Sequence, residues 1–146
     1  NDEEDNYEIN TEEDLKNKHE KLKHHNIPLA KNLLGEICYV AAELANEAKA
    51  KIIVAVTESG YTAKQIAKQR THKRIITIIT GPKHLKEELA MVWGLNDIYL
   101  KKINKKQFLP EVKKFLLKEK LIKSGETAVI VCNESKQERS IATIII

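Results

Sequence analysis

The stretch Lys51 to Arg70, KIIVAVTESGYTAKQIAKQR, decides the fold. Ile52, Ile53, Val54, Ala55 and Val56 form an apolar run rich in β-branched residues, as expected of a parallel strand covered on both faces. Thr57-Glu58-Ser59-Gly60 breaks that run, and Tyr61 to Lys68 returns to helical spacing. Gly60 can take a backbone conformation closed to other residues. Thr57, Ser59 and Thr62 set three hydroxyls around the start of the helix. Free N–H groups and the positive end of a helix dipole suit that place to an anion. The same residue types also serve simply as a helix cap, and the carboxylate of Glu58 would repel a phosphate unless it points away.

Working outward, the alternation of helix and strand continues in both directions. Before the strand, Leu33 to Ala48 carries Leu33, Leu34, Ile37, Val40, Ala41, Leu44, Ala45 and Ala48 at three–four spacing, which predicts a helix. Its alanines favour helix and let it lie close to a sheet. After it, Ile75 to Thr80 reads as a second buried strand. Gly81-Pro82 is a turn, with proline suited to the start of a helix over Lys83 to Val92. Gly94 ends that helix. Ile98 to Leu100 is a short third strand and Lys101 to Lys106 a basic loop. Gln107 to Leu121 is the last long helix. Thr127 to Cys132 and Ile141 to Ile146 are the final strands, joined by the loop Asn133 to Ser140.

Such alternation predicts a three-layer α/β domain. Eight residues between the last two strands are too few for a parallel crossover, so that pair should be antiparallel. The expectation is a mixed five-stranded sheet, its last strand antiparallel, flanked by helices over residues 27–146. Ligands in such sheets sit beyond the carboxyl ends of the strands, where the Thr57 to Thr62 turn and the start of the last loop both lie.

Residues 1–26 read differently. The first twenty hold nine acids and two lysines, and the rest of the chain has 12 acids against 23 Lys and Arg, a balance of +11. The segment 1–14 has few apolar anchors, and residues 1–26 are expected to be an acidic, disordered or loosely attached arm. His19, His24 and His25 follow in a Lys-rich stretch and read as solvated side chains rather than a metal site. The basic body invites a nucleic-acid reading, but its lysines are spread without interleaved aromatics, so nucleic acid is not expected as a partner. Cys38 and Cys132 stand alone in apolar runs, as buried thiols of a reducing, cytoplasmic compartment do. Nothing approaches the length of a membrane span. The chain does not begin with methionine, and its one Met is Met91. This reads as a processed product or a piece of a longer protein.

VTESGYTAKQIAKQR resembles the C-terminal domain of pyruvate kinases, in which a strand leads through T-x-S-G-x-[ST]-A into a helix ending near Arg-Pro. Thr57, Ser59, Gly60, Thr62, Ala63 and Arg70 match that pattern, and Thr71 stands where the family has proline. ICYVAAELANEAKAK, IITIIT, LAMVWGL and KEKLIKSGETAVIV extend the likeness over Ile27 to Ile146. The resemblance implies a non-catalytic domain that joins subunits into an oligomer and binds a sugar-phosphate effector. It maps the effector phosphate loop onto Thr57, Glu58, Ser59, Gly60, Tyr61 and Thr62. A second family loop, rich in glycine, falls on Asn133 to Ser140, which has no glycine but offers Lys136 and Arg139 to a phosphate.

By the same resemblance, phosphoenolpyruvate, Mg²⁺ and K⁺ belong to a catalytic barrel domain of the same polypeptide. The sequence shows no paired carboxylates, no nucleophile with its base and no P-loop of its own, so this chain should hold no cofactor and be inactive alone. Two readings follow: the regulatory and oligomerisation domain of a pyruvate kinase, or a free-standing domain of that fold that binds a phosphorylated small molecule or a protein partner.

Overall fold

The computed structural model describes residues 7–10, 33–135 and 138–146. The histidines at 19, 24 and 25, the expected start of the domain at residue 27 and Lys136 lie outside the described residues. The elements run β1 (Tyr7–Asn10), α1 (Leu33–Glu47), β2 (Ile52–Thr57), α2 (Tyr61–Lys68), β3 (Arg74–Ile79), α3 (Leu85–Ala90), β4 (Asp97–Leu100), a 3₁₀ turn (Lys105–Gln107), α4 (Phe108–Lys118), β5 (Thr127–Ser135) and β6 (Glu138–Ile145).

Strand order in the sheet is β1-β6-β5-β2-β3-β4. β5, β2, β3 and β4 are parallel, and β6 runs antiparallel to β5. The mixed sheet with an antiparallel last pair is therefore the expected one. Tyr7–Asn10, within the acidic stretch, adds a sixth strand antiparallel to β6 at its outer edge.

Alternation along each strand builds two cores. Ile53, Ala55, Ile75, Ile79, Val129 and Val131 face α1, α2 and α3, meeting Ile37, Cys38, Ala41, Ile66 and Leu89. Ile52, Val54, Val56, Ile76, Ile78, Ala128 and Ile130 face the other way, toward Val112, Phe115 and Leu116 of α4. Every residue of β2 is buried, so this strand lies in the middle of three layers. Each Ile or Leu so buried contributes about 1.5–3 kcal/mol over leaving it exposed. The alanines of α1 and α2 keep those helices close to the sheet: Ala41, Ala45 and Ala63 have no exposed surface.

Two boundaries differ from the sequence expectation. The helix expected over 83–92 is confined to Leu85–Ala90, because Pro82 and Lys83 form the turn that leads into it. The loop expected over Asn133 to Ser140 is mostly strand. β5 continues to Ser135 and β6 begins at Glu138, with Asn133 opposite Arg139 and an irregular register between Asn133 and Ser135. Without a glycine or proline, nothing in that stretch stops the ladder, and the hairpin extends past the end of β2.

Candidate functional site

Helices α2 and α3 connect β2, β3 and β4 across one face, while α4 returns over the opposite face to bring β5 beside β2. The direction of winding therefore reverses between β2 and β5. In open α/β sheets the crevice outside such a switch point is where ligands bind. Two segments meet there, because the register pairs Thr57, the last residue of β2, with Asn133 of β5. One is the turn Thr57 to Thr62, and the other is the β5–β6 hairpin.

The turn is built from internal hydrogen bonds. The Thr57 side chain is buried, and its Oγ1 accepts from the Gly60 N–H at 2.8 Å. Ser59 Oγ accepts from the Tyr61 N–H at 3.3 Å. Two of the four N–H groups that a helix start leaves without partners are thus met by hydroxyls of the turn. Gly60 has φ 88°, in the left-handed region, and a Cβ there would lie 3.1 Å from Leu89 Cδ2. Thr62 is buried, and its Oγ1 has no hydrogen-bond partner. The Thr62 carbonyl accepts a weak bond from Cys38 Sγ at 3.8 Å, and burial pushes the Cys38 thiol up to about 12. That cysteine is a core thiol, not a nucleophile.

A second interlock holds the turn from the β3 side. The Thr57 carbonyl accepts from the Thr80 N–H at 2.9 Å. A Cβ on Gly81 would fall 2.0 Å from the Glu58 carbonyl oxygen, so the backbones of the two loops touch. Glu58, Ser59, Thr80, Gly81, Pro82 and His84 line an open cleft of about 480 Å³ beside this contact. Glu58 and Ser59 are exposed, and among the described residues Glu58 makes no ion pair.

Of the residues singled out in the sequence, Thr57, Glu58, Ser59, Gly60 and Thr62 thus form one turn, with only Glu58 and Ser59 open to solvent. The backbone of Arg139 stands in β6 opposite Asn133, on the neighbouring hairpin. Sequence reasoning missed Gly81. The signal was its place directly after a buried strand, where it reads only as a turn residue.

Other chemistry is sparse. Among the described residues no three His, Cys, Asp or Glu side chains come together as a metal would require, and no helix is long and apolar enough to cross a membrane. Among the described residues the shortest ion pair lies at the opposite end of the sheet. Arg74 Nε and one of its terminal nitrogens donate to Asp97 at 2.8 and 2.9 Å, and that hydrogen bonding holds the Asp97 carboxyl below its usual range.

Comparison with known proteins adds the following. A family model described as the alpha/beta domain of pyruvate kinase matches residues 35–146. A pyruvate kinase of Lactobacillus delbrueckii subsp. bulgaricus is 32% identical over 88 residues, 60% of this chain and 15% of that protein. One of Mycobacterium tuberculosis is 31% identical over 98 residues, 66% of this chain and 21% of that protein. A crystal structure of a Cryptosporidium parvum pyruvate kinase shares the fold with a TM-score of 0.63 at 23% identity, over 88% of this chain and 26% of that one. The chain therefore spans about a fifth or less of these two curated relatives.

Proposed function

The chain belongs to the pyruvate kinase alpha/beta domain family, and on that premise we propose that it is the C-terminal regulatory and oligomerisation domain of a pyruvate kinase. The parent enzyme would transfer phosphate from phosphoenolpyruvate to ADP in the cytoplasm. One observation carries this reading: the family model covers residues 35–146, while the stretches aligned with two curated pyruvate kinases make up only 15% and 21% of those proteins. The catalytic barrel, with its Mg²⁺ and K⁺, would be the partner on the same polypeptide.

The switch point is the proposed effector site. A sugar phosphate would take the main-chain N–H groups at the start of α2, in the turn Thr57-Glu58-Ser59-Gly60-Tyr61-Thr62. Thr57 and Ser59 would shape that turn through their caps, and the buried Thr62 would contribute its backbone rather than its hydroxyl. Lys136 and Arg139 would supply the positive charge.

An immunoblot of source cells with an antibody to this chain is the first test. A band several times larger than the chain supports the reading. A band of the chain's own size favours a free-standing module that binds a phosphorylated small molecule or a protein. Titration of the full-length enzyme with a sugar bisphosphate then tests the site. Arg139→Gln should weaken binding by about 1.5–3 kcal/mol, the scale of a hydrogen bond to a charged group. Glu58→Gln should tighten it. An unchanged curve in both variants removes the switch point as the effector site.

A further inference from the structure

The two edges of the sheet differ. β6 is covered by β1, whereas β4 stands last in the strand order and pairs only with β3. The Lys101 N–H bonds inward, to the Ile79 carbonyl at 3.0 Å. Successive residues of a parallel strand turn their backbone groups to alternate sides. Tyr99 and Asp97 therefore also turn theirs toward β3, and the N–H and C=O of Ile98 and Leu100 point out of the sheet. No strand among the described residues takes them. The Leu100 side chain is also left partly open, with 40% of its surface exposed.

A trough of about 530 Å³ lies between the end of β4 and α4. Leu100, Pro110 and Phe115 give it an apolar lining, and Lys101, Lys114 and Lys118 give it cations. Lys101 Nζ lies 5.8 Å from the centre of the Phe115 ring, a contact that steadies the ammonium there. Lys114 and Lys118 are one turn apart on α4, so they share a face and repel each other. Both are exposed, and none of the three lysines makes an ion pair among the described residues. Of the two carboxylates at the trough, Glu111 is engaged by the Asn104 N–H, which leaves Glu119 against three cations. Lysine on an edge strand commonly guards it against pairing. Here two of the three stand across the trough on α4, where they would meet the side chains of an added strand rather than deflect it.

We propose that the β4 edge is a docking site for an acidic, extended segment of a partner protein. The segment would add a strand to the sheet by pairing its main chain with Ile98 and Leu100. Side chains along it alternate between faces, so acids at every second position would meet Lys101, Lys114 and Lys118. Backbone pairing sets the position, and charge selects the partner.

A short fluorescent peptide of alternating Glu and Val, added to the whole chain at low salt, tests the site. Anisotropy should show saturable binding. Hydrogen exchange in the complex should slow at the Ile98 and Leu100 amides and stay unchanged at Tyr99, whose N–H already faces β3. Lys114→Glu together with Lys118→Glu should weaken binding about ten-fold, as loss and reversal of a few surface charges does, without loosening α4 amides. A proline in the middle of the peptide, which removes a main-chain donor, should weaken binding to the unaltered chain. Absence of saturable binding overturns the proposal. So does binding that leaves the Ile98 and Leu100 amides unprotected, because the peptide would then only be drawn to the lysines. Equal binding of a peptide of alternating Lys and Val would show that charge does not select the partner, and overturns it as well. A single-stranded oligonucleotide that binds as tightly, with those amides unprotected, would assign the lysines to nucleic acid instead.

Discussion

The two ends of the sheet use glycine and charge in opposite ways. At the carboxyl end, Gly60 and Gly81 are hemmed in. A side chain on the first meets Leu89, and on the second the Glu58 backbone. At the amino end, Gly94 and Gly125 also turn the chain with positive φ, but nothing lies within 4 Å of where a Cβ would be. The amino end is instead dressed with surface charge: Arg74 on Asp97, Lys51 near Glu126 and the lysines after α4. One end is fixed by close packing of backbone and the other by contacts that water and salt can reach. The proposed ligand site lies at the closely packed end, which suits a turn whose N–H groups must stay aimed.

The sharpest way to break this comparison is Gly81→Ala. The added methyl would sit 2.0 Å from a backbone oxygen, so the two loops must part rather than a side chain swing aside. A loss of at least about 3 kcal/mol is expected in urea unfolding, at the upper end of overpacking costs. A cost under 1 kcal/mol would mean that the loops are not in contact. Gly60→Ala comes next. Its φ of 88° and its contact with Leu89 should together cost about 2 kcal/mol. Gly94→Ala, with φ 87° and open space around it, should cost only the backbone part, about 1 kcal/mol. Equal losses at the two positions would erase the distinction between the ends.

Thr57→Val tests the same region through a hydrogen bond. The swap keeps the shape but removes the oxygen that accepts from the Gly60 N–H. About 1 kcal/mol of stability should be lost, the usual net worth of such a hydrogen bond, with faster exchange at the Gly60 amide. Exchange unchanged at that amide would show that the cap is not formed in solution.

How much of this was legible beforehand follows the same division. The apolar run of β2, the periodic spacing of α1 and the Gly-Pro turn after β3 are local patterns, and each gave its element directly. The short last connection gave the antiparallel pair. The hairpin is not legible in the sequence because Asn133 to Ser140 is polar, and a polar stretch between two apolar runs reads as a loop. At the edge of a sheet a polar strand is ordinary, since much of it faces water. β1 was missed for a related reason, because Tyr-Glu-Ile-Asn is too short to declare itself without the β6 edge beside it. At the candidate site the turn itself was plain from T-E-S-G-Y-T. The inward use of Thr57 and Thr62 and the contact with Gly81 were not, because they depend on how β3 and α1 pack against it.

The smallest expected effect concerns the charged end. Arg74 donates two hydrogen bonds to Asp97, and these hold the Asp97 carboxyl below its ordinary value. A carboxyl depressed in the folded state binds its proton more readily when unfolded. The pair therefore adds stability that is complete above the ordinary carboxyl range and is lost as pH falls through the depressed value. Arg74 is half exposed, so the contribution should stay under about 1 kcal/mol. Unfolding midpoints of the chain and of Asp97→Asn, measured from pH 7 to pH 2, should differ at neutral pH and converge in acid. Added salt should shrink the neutral difference. Gly60→Ala should instead be displaced by the same amount at every pH, because the contact it crowds is the apolar Leu89 side chain. Parallel curves for Asp97→Asn would mean that the amino end, too, rests on packing rather than charge.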